Sequence, residues 1–101
     1  MNKQNRKYGF VIWLLLPSGK IKFEKVLPEK DAGRYKYLDK VRTATVYNTK
    51  KEALGYCTSI PVSEGIARLR TAKVSLYKNG RARKVLKLYK EFNPVGEGSA
   101  P

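Results

Sequence analysis

Between residues 66 and 90 the chain carries nine Lys or Arg and no Asp or Glu. Arg68, Arg70, Lys73, Lys78, Arg81, Arg83, Lys84, Lys87 and Lys90 supply the charge, with Tyr77 and Tyr89 among them. This mixture suits recognition of a phosphodiester backbone. Guanidinium groups make bidentate contacts to phosphate or guanine, and tyrosine rings stack on exposed bases or bond phosphate oxygen. The whole chain has a net charge of +14, so setting these nine aside leaves +5 for all the rest. Such an imbalance repels itself in the compact state, and an anionic partner offsets it. A solvated outer sheet face is the plainer alternative, and basic charge also keeps edge strands from pairing with other molecules. Edge protection needs only one or two charges, which leaves most of the nine unexplained.

Other chemistries find little support. The chain has no histidine, which removes the usual general base, the usual metal ligand and every Ser-His or Cys-His arrangement. Cys57 is the lone cysteine, so an internal disulfide or Cys-rich metal site cannot form, and a reducing cytoplasmic setting is the expectation. P-loop, dinucleotide, zinc and KH signatures are all missing, so no cofactor and no metal is expected. A histidine-free ribonuclease using Arg, Lys, Tyr and Glu is conceivable, because positioned cations stabilise a phosphorane-like transition state. However, Glu64 and Glu91 are the only acids near the patch in sequence.

The elements that must position these residues follow from pattern. A chain of 101 residues fits one domain, and 42% hydrophobic content excludes a disordered polybasic tail. Residues 8–16 read as a strand apolar on both faces, hence central in its sheet. The apolar run from Phe10 to Leu16 follows basic residues, as in a signal peptide, but is too short to span a membrane and lacks a small-x-small cleavage site. No membrane partner is expected. Pro17-Ser18-Gly19 suits a three-residue hairpin loop with Gly19 in the left-handed conformation. Residues 20–27 alternate as a half-exposed strand, and this loop sets Trp13 opposite Phe23 and Leu15 opposite Ile21.

Residues 28–40 read as a long surface loop with a short strand near Tyr35, and residues 41–47 as a third strand. Thr49-Lys50-Lys51-Glu52 is a capping box; Ala53, Tyr56, Cys57 and Ile60 then fall on one apolar face. A helix over about 50–59, stopped by Pro61, buries Cys57 as a small core residue. Residues 61–65 connect it to a long hairpin over 66–92.

Asn79-Gly80 marks the tip of that hairpin and permits two registers. A two-residue loop pairs Leu76 with Arg83 and Lys73 with Leu86, mixing charge with apolar groups on both faces. A three-residue loop, Lys78-Asn79-Gly80, with Gly80 in a bulge, pairs Tyr77 with Arg81. It sorts Ile66, Ala72, Val74, Leu76, Ala82, Leu86, Leu88 and Phe92 onto one face. Lys73, Ser75, Tyr77, Arg81, Arg83, Lys87 and Tyr89 then share the other, with Leu69 and Val85 as apolar exceptions. Burial favours the second register. Arg68, Arg70, Lys84 and Lys90 remain near the edges of the apolar side, reaching out along their aliphatic stems. Residues 1–7 form a basic arm with Lys3, Arg6 and Lys7, and residues 93–101 a flexible tail.

The expected fold is therefore α+β: an antiparallel sheet of about five strands with one short helix, in chain order β-β-β-α-β-β. The expected function is non-enzymatic nucleic-acid binding, DNA or RNA, with little sequence preference. Arg68, Arg70, Lys73, Tyr77, Lys78, Arg81, Arg83, Lys84, Lys87 and Tyr89 are the candidate contacts. Same-face residues on a strand repeat at about 6.8 Å, close to the roughly 7 Å of two 3.4 Å rises along a nucleic-acid strand. The alternative is a small basic inhibitor or adaptor, of the kind viruses and mobile elements use, that binds an acidic protein surface.

Overall fold

The computed structural model describes residues 7–27, 35–63 and 65–90. Lys3, Arg6, Glu64, Glu91, Phe92, the tail and residues 28–34 of the expected loop lie outside the described residues.

Among the described residues, six strands and one short helix make up an α+β fold. In chain order they are β1 (Tyr8–Leu15), β2 (Ile21–Val26), β3 (Tyr35–Leu38), a 3-10 turn (Val41–Thr43), α1 (Lys50–Leu54), β4 (Ser59–Val62), β5 (Gly65–Leu76) and β6 (Ala82–Leu88). The paired strands are antiparallel. The sheet runs β3-β2-β1-β5-β4, and β6 also pairs with β5. The 12-residue β5 is long enough to take β4 against its first residues and β6 against its last on the same edge, while β1 holds the other.

β1 is central, as its two-faced apolar pattern predicts. Its odd residues Val11 and Trp13 join Phe23, Ala72, Val74 and Ala82 in one core. Its even residues Ile12, Leu14 and Leu16 join Ala67, Leu69, Ala53 and Cys57 in a second core, under α1. Val11, Ile12 and Leu14 are fully buried, each worth about 1.5–3 kcal/mol relative to exposure. Trp13 donates its indole N–H to the Thr71 carbonyl at 2.7 Å and the Tyr89 carbonyl at 3.2 Å, so its polar edge is satisfied within the core.

The first core is closed by residues 41–46. The 3-10 turn touches both β2 and β6, on either side of the central pair, so the sheet curls into a half-barrel around this core. β2 pairs with β1 only from Ile21 to Phe23 and then leaves it for β3. Residues 45–47 fill the opening. Thr45 donates its amide to the Glu24 carbonyl, and Tyr47 exchanges both backbone hydrogen bonds with Phe10. Here Gly9 is required: a Cβ would stand 2.6 Å from Val46 Cγ1 and 3.2 Å from a Leu76 methyl.

Both hairpin turns adopt the expected form. Leu16 and Lys20 flank the first, Tyr77 and Arg81 the second, each closed by a backbone hydrogen bond of 2.9 Å. Gly19 and Gly80 hold φ at 95° and 87°. Trp13 opposes Phe23 and Leu15 opposes Ile21, as read from the sequence.

Three expectations change and one is sharpened. Residues 41–47 form a 3-10 turn and an isolated bridge rather than a strand, because their backbone partners are split between β1 and β2. The short strand expected near Tyr35 is present as Tyr35–Leu38, which makes it the third strand of the chain. The helix stops at Leu54 rather than near residue 59, with Gly55 as its C-cap. Ser59–Val62, read partly as helix end and partly as connection, is strand β4, which tolerates Pro61 because it lies at a sheet edge.

Candidate nucleic-acid interface

Two register shifts in β6 decide where the basic residues point. Leu76 opposes Ala82, but Ser75 opposes Lys84, leaving Arg83 as an extra residue. Val74 opposes Val85 and Lys73 opposes Lys87, leaving Leu86 extra. Each extra residue lets the strand reverse which face its alternation serves. Val85 thereby packs against the first core, which removes it from the apolar exceptions. Lys84 moves from the apolar side to the side of Lys73. Leu86 and Ile66, expected on the apolar face, are instead 43% and 62% exposed.

Nine of the ten candidate residues fall into three groups, and Arg83 stands apart. Lys73, Lys84, Lys87 and Tyr89 gather on the face that α1 covers. Lys73 and Lys87 stand directly opposite each other on neighbouring strands, and Lys84 opposes Ser75. Tyr8 opposes Ser75 on the other side, with Lys73 Nζ 4.5 Å from its ring centroid. The Tyr89 ring receives two ammonium groups, Lys50 at 3.9 Å and Lys87 at 5.3 Å. These cation–π contacts hold the lysine stems while leaving the ammonium groups able to meet an anion.

Tyr77, Lys78 and Arg81 form the second group, at the hairpin tip. The Asn79 side chain accepts from the Arg81 amide at 3.0 Å and stiffens the turn. The tip approaches the 3-10 turn, and Arg42, Thr43, Tyr77, Asn79 and Arg81 line a cavity of about 400 Å³. Two guanidinium groups with hydroxyl donors beside them make a suitable seat for a phosphate.

Arg68 and Arg70 form the third group, on the opposite face. They pair with Leu15 and Trp13, and the Arg70 guanidinium lies 5.7 Å from the Trp13 ring. Arg70 is half-buried, and its Nε is buried without a hydrogen-bond partner. These two arginines therefore do not share a surface with Lys73 and Lys87. Arg83 is exposed at its bulge.

Sequence reasoning missed Tyr8, Arg42, Thr43 and Lys50. Tyr8 and Lys50 reach the patch only because β1 pairs with β5 and α1 crosses the same face, neither of which local patterning reveals. It also missed a second like-charged rung, Lys25 opposite Lys36 on β2 and β3. The carboxylates among the described residues are Glu24, Asp39 and Glu52, and all lie off the β5–β6 hairpin. Asp39 pairs with Lys22 at 3.1 Å, and Glu52 accepts the Asn48 amide at the helix start.

Among the described residues no cluster of three His, Cys, Asp or Glu side chains could hold a metal ion. No helix there is long and apolar enough to cross a membrane. Comparison with known proteins gives no match: no family model, no curated protein and no solved structure is similar to this chain.

Proposed function

We propose that this protein is a non-enzymatic nucleic-acid-binding domain. Its contact surface is the helix-covered side of the β5–β6 hairpin, together with the Arg42–Arg81 end. The observation that carries this is the rung Lys73–Lys87, flanked by Lys84 and Lys50 and bordered by Tyr8 and Tyr89. Like charges directly opposite each other on neighbouring strands destabilise a sheet. An anion seated between them converts that cost into attraction. Backbone phosphates supply such anions at regular intervals, and the two tyrosines offer ring faces to unstacked bases. Arg42 and Arg81, which line one cavity at the hairpin tip, add a second cationic pair.

The test is binding of the purified chain to labelled duplex DNA, single-stranded DNA and RNA, wild type beside Lys73→Ala/Lys87→Ala and Arg42→Ala/Arg81→Ala. Both double variants lose affinity if these groups contact phosphate. Unchanged affinity in both moves the site elsewhere.

One observation favours the adaptor reading. Ile66 and Leu86 place two large apolar side chains on the outside of the same hairpin, a feature that backbone phosphates do not use. Binding to an acidic protein that is lost in Ile66→Ser/Leu86→Ser, with no binding to nucleic acid, would replace the leading proposal.

A further inference from the structure

The same face of the sheet carries a second feature that the charge pattern does not account for. Glu24, Tyr37, Thr45, Tyr47, Tyr56 and Leu69 are among the residues enclosing a cavity of about 450 Å³. That volume lies within the roughly 300–1,000 Å³ range of small-molecule sites. Glu24 is 3% exposed, a buried carboxyl group in a chain of net charge +14. Its Oε1 accepts the Tyr47 hydroxyl at 3.0 Å. A carboxylate offers about four lone-pair sites, so this one bond leaves most of its accepting capacity to whatever enters. The Tyr47 and Tyr56 rings stand 5.5 Å apart, tilted by 31°, and Tyr56 is 61% exposed. Thr45 and Leu69 also line the wall.

An aromatic-walled cavity with one carboxylate suits a flat ligand that donates hydrogen bonds. A quaternary ammonium group also fits such chemistry, but a free cation must approach a strongly cationic chain, whereas a polyanion is drawn to it. The cavity is also connected to the lysine rung. Tyr47 pairs with Phe10, Phe10 with Lys73, and Lys73 with Lys87. These are three interstrand steps of about 4.8 Å, or roughly 14 Å, which is about four 3.4 Å rises along a nucleic-acid strand.

We infer that this cavity receives one unstacked guanine base of a single-stranded nucleic acid whose backbone lies on the Lys73–Lys87 rung. An ionised carboxylate accepts and cannot donate. The Watson–Crick edge of guanine presents two adjacent donors, N1–H and the N2 amino group, and so meets Glu24 with two parallel hydrogen bonds. Adenine and cytosine each present an amino group beside an acceptor nitrogen. Uracil presents one N–H between two carbonyls. Each of these three sets at least one acceptor against the carboxylate. Tyr47 and Tyr56 supply the ring faces, as in the single-strand readers that stack bases on aromatic side chains. Burial raises the Glu24 pKa above its ordinary 4.5, and the Tyr47 hydrogen bond opposes that shift. Guanine binding therefore weakens as pH falls through that raised value.

This inference rests on the nucleic-acid proposal above, and the experiment separates the two. The full chain is titrated with GMP, AMP, CMP and UMP, with tetramethylammonium chloride, and with a uridine 10-mer carrying either no guanosine or one central guanosine. GMP and the guanosine-bearing 10-mer should bind about tenfold more tightly than their counterparts, the discrimination of one good bidentate contact. Glu24→Gln, close to isosteric, and Tyr56→Ala, at an exposed position, should each abolish the preference while leaving salt-dependent binding of the uridine 10-mer intact. Equal affinity for the four nucleotides, a preference that survives both substitutions, or tight tetramethylammonium binding overturns the guanine site even if the oligonucleotides bind. Guanine preference without any salt-dependent oligonucleotide binding would keep the site and overturn the basic-face proposal.

Discussion

The β1–β2 and β5–β6 hairpins are closed by the same turn, three residues ending in a glycine at positive φ, yet they are put to opposite uses. In the first, the leading strand is buried on both faces and its partner runs in register from Leu15–Ile21 to Trp13–Phe23. In the second, the leading strand is also largely buried, but its partner slips twice in seven residues and turns a row of cations outward. The turn sets only the first pairs. Beyond them, apolar cross-strand pairs preserve register where both strands need burial. On a strand with one buried face, single-residue slips collect the scarce apolar groups, Val85 and Leu88, and release the rest to the surface.

Substitutions can break or sharpen that contrast. The largest effect is expected from Trp13→Ala, which removes a buried indole that packs in the first core and donates to Thr71 and Tyr89. A loss of about 3–5 kcal/mol in chemical denaturation is expected. A loss below about 1 kcal/mol would show that β1 does not hold the two hairpins together. Next come Gly19→Val and Gly80→Val. A Cβ at either position meets no atom within 4 Å, so the penalty is backbone strain alone. The two should cost similar amounts, about 1–3 kcal/mol each. A cost confined to one of them would mean that the turns are not equivalent.

Smaller effects carry more information about purpose. Removing one member of the like-charged rung by Lys87→Ala should leave stability unchanged or raise it by a few tenths of a kcal/mol, measured without nucleic acid, while weakening nucleic-acid binding. The corresponding changes on the first hairpin, at Trp13 or Leu15, should only destabilise. Glu24→Gln should alter the pH dependence of stability. Burial raises the folded-state pKa of Glu24, so its contribution is fully present below the unfolded value of 4.5 and is lost as pH rises through the folded value. The variant lacks that loss, so wild type should become less stable relative to Glu24→Gln as pH rises from 4 to 7. A difference that is flat across this range would contradict the burial. Cys57, whose thiol is pushed up to about 12 by burial and by Glu24, should resist alkylation at pH 8 until the chain unfolds.

Much of this contrast can be read from local chemistry. Pro17-Ser18-Gly19 and Asn79-Gly80 announce the turns, the even and odd residues of 8–16 announce a central strand, and Thr49 with Glu52 announces the helix start, where Thr49 Oγ1 accepts the Glu52 amide. What escaped depends on distant partners. Residues 41–47 have the composition of a strand, but β1 and β2 divide their hydrogen bonds. Pro61 looks like a stop, yet on an edge strand its missing N–H costs nothing. The slips at Arg83 and Leu86 come from competition between burial of Val85 and exposure of Lys84, which only the neighbouring strand resolves. The basic site was legible as composition; its division into a Lys–Tyr rung, an Arg42–Arg81 clamp and an Arg68–Arg70 pair on the other face was not, because that requires the strand order.

The most direct test of the central claim is the slope of log Kd against log salt for a single-stranded oligonucleotide, measured on wild type and on Lys73→Ala/Lys87→Ala. If the rung binds backbone phosphates, the slope should fall by about 0.7 for each phosphate of the single strand that the variant no longer neutralises, with affinity reduced alike across sequences. An unchanged slope in a folded double variant would show that the rung binds no phosphate, and would contradict the proposed function.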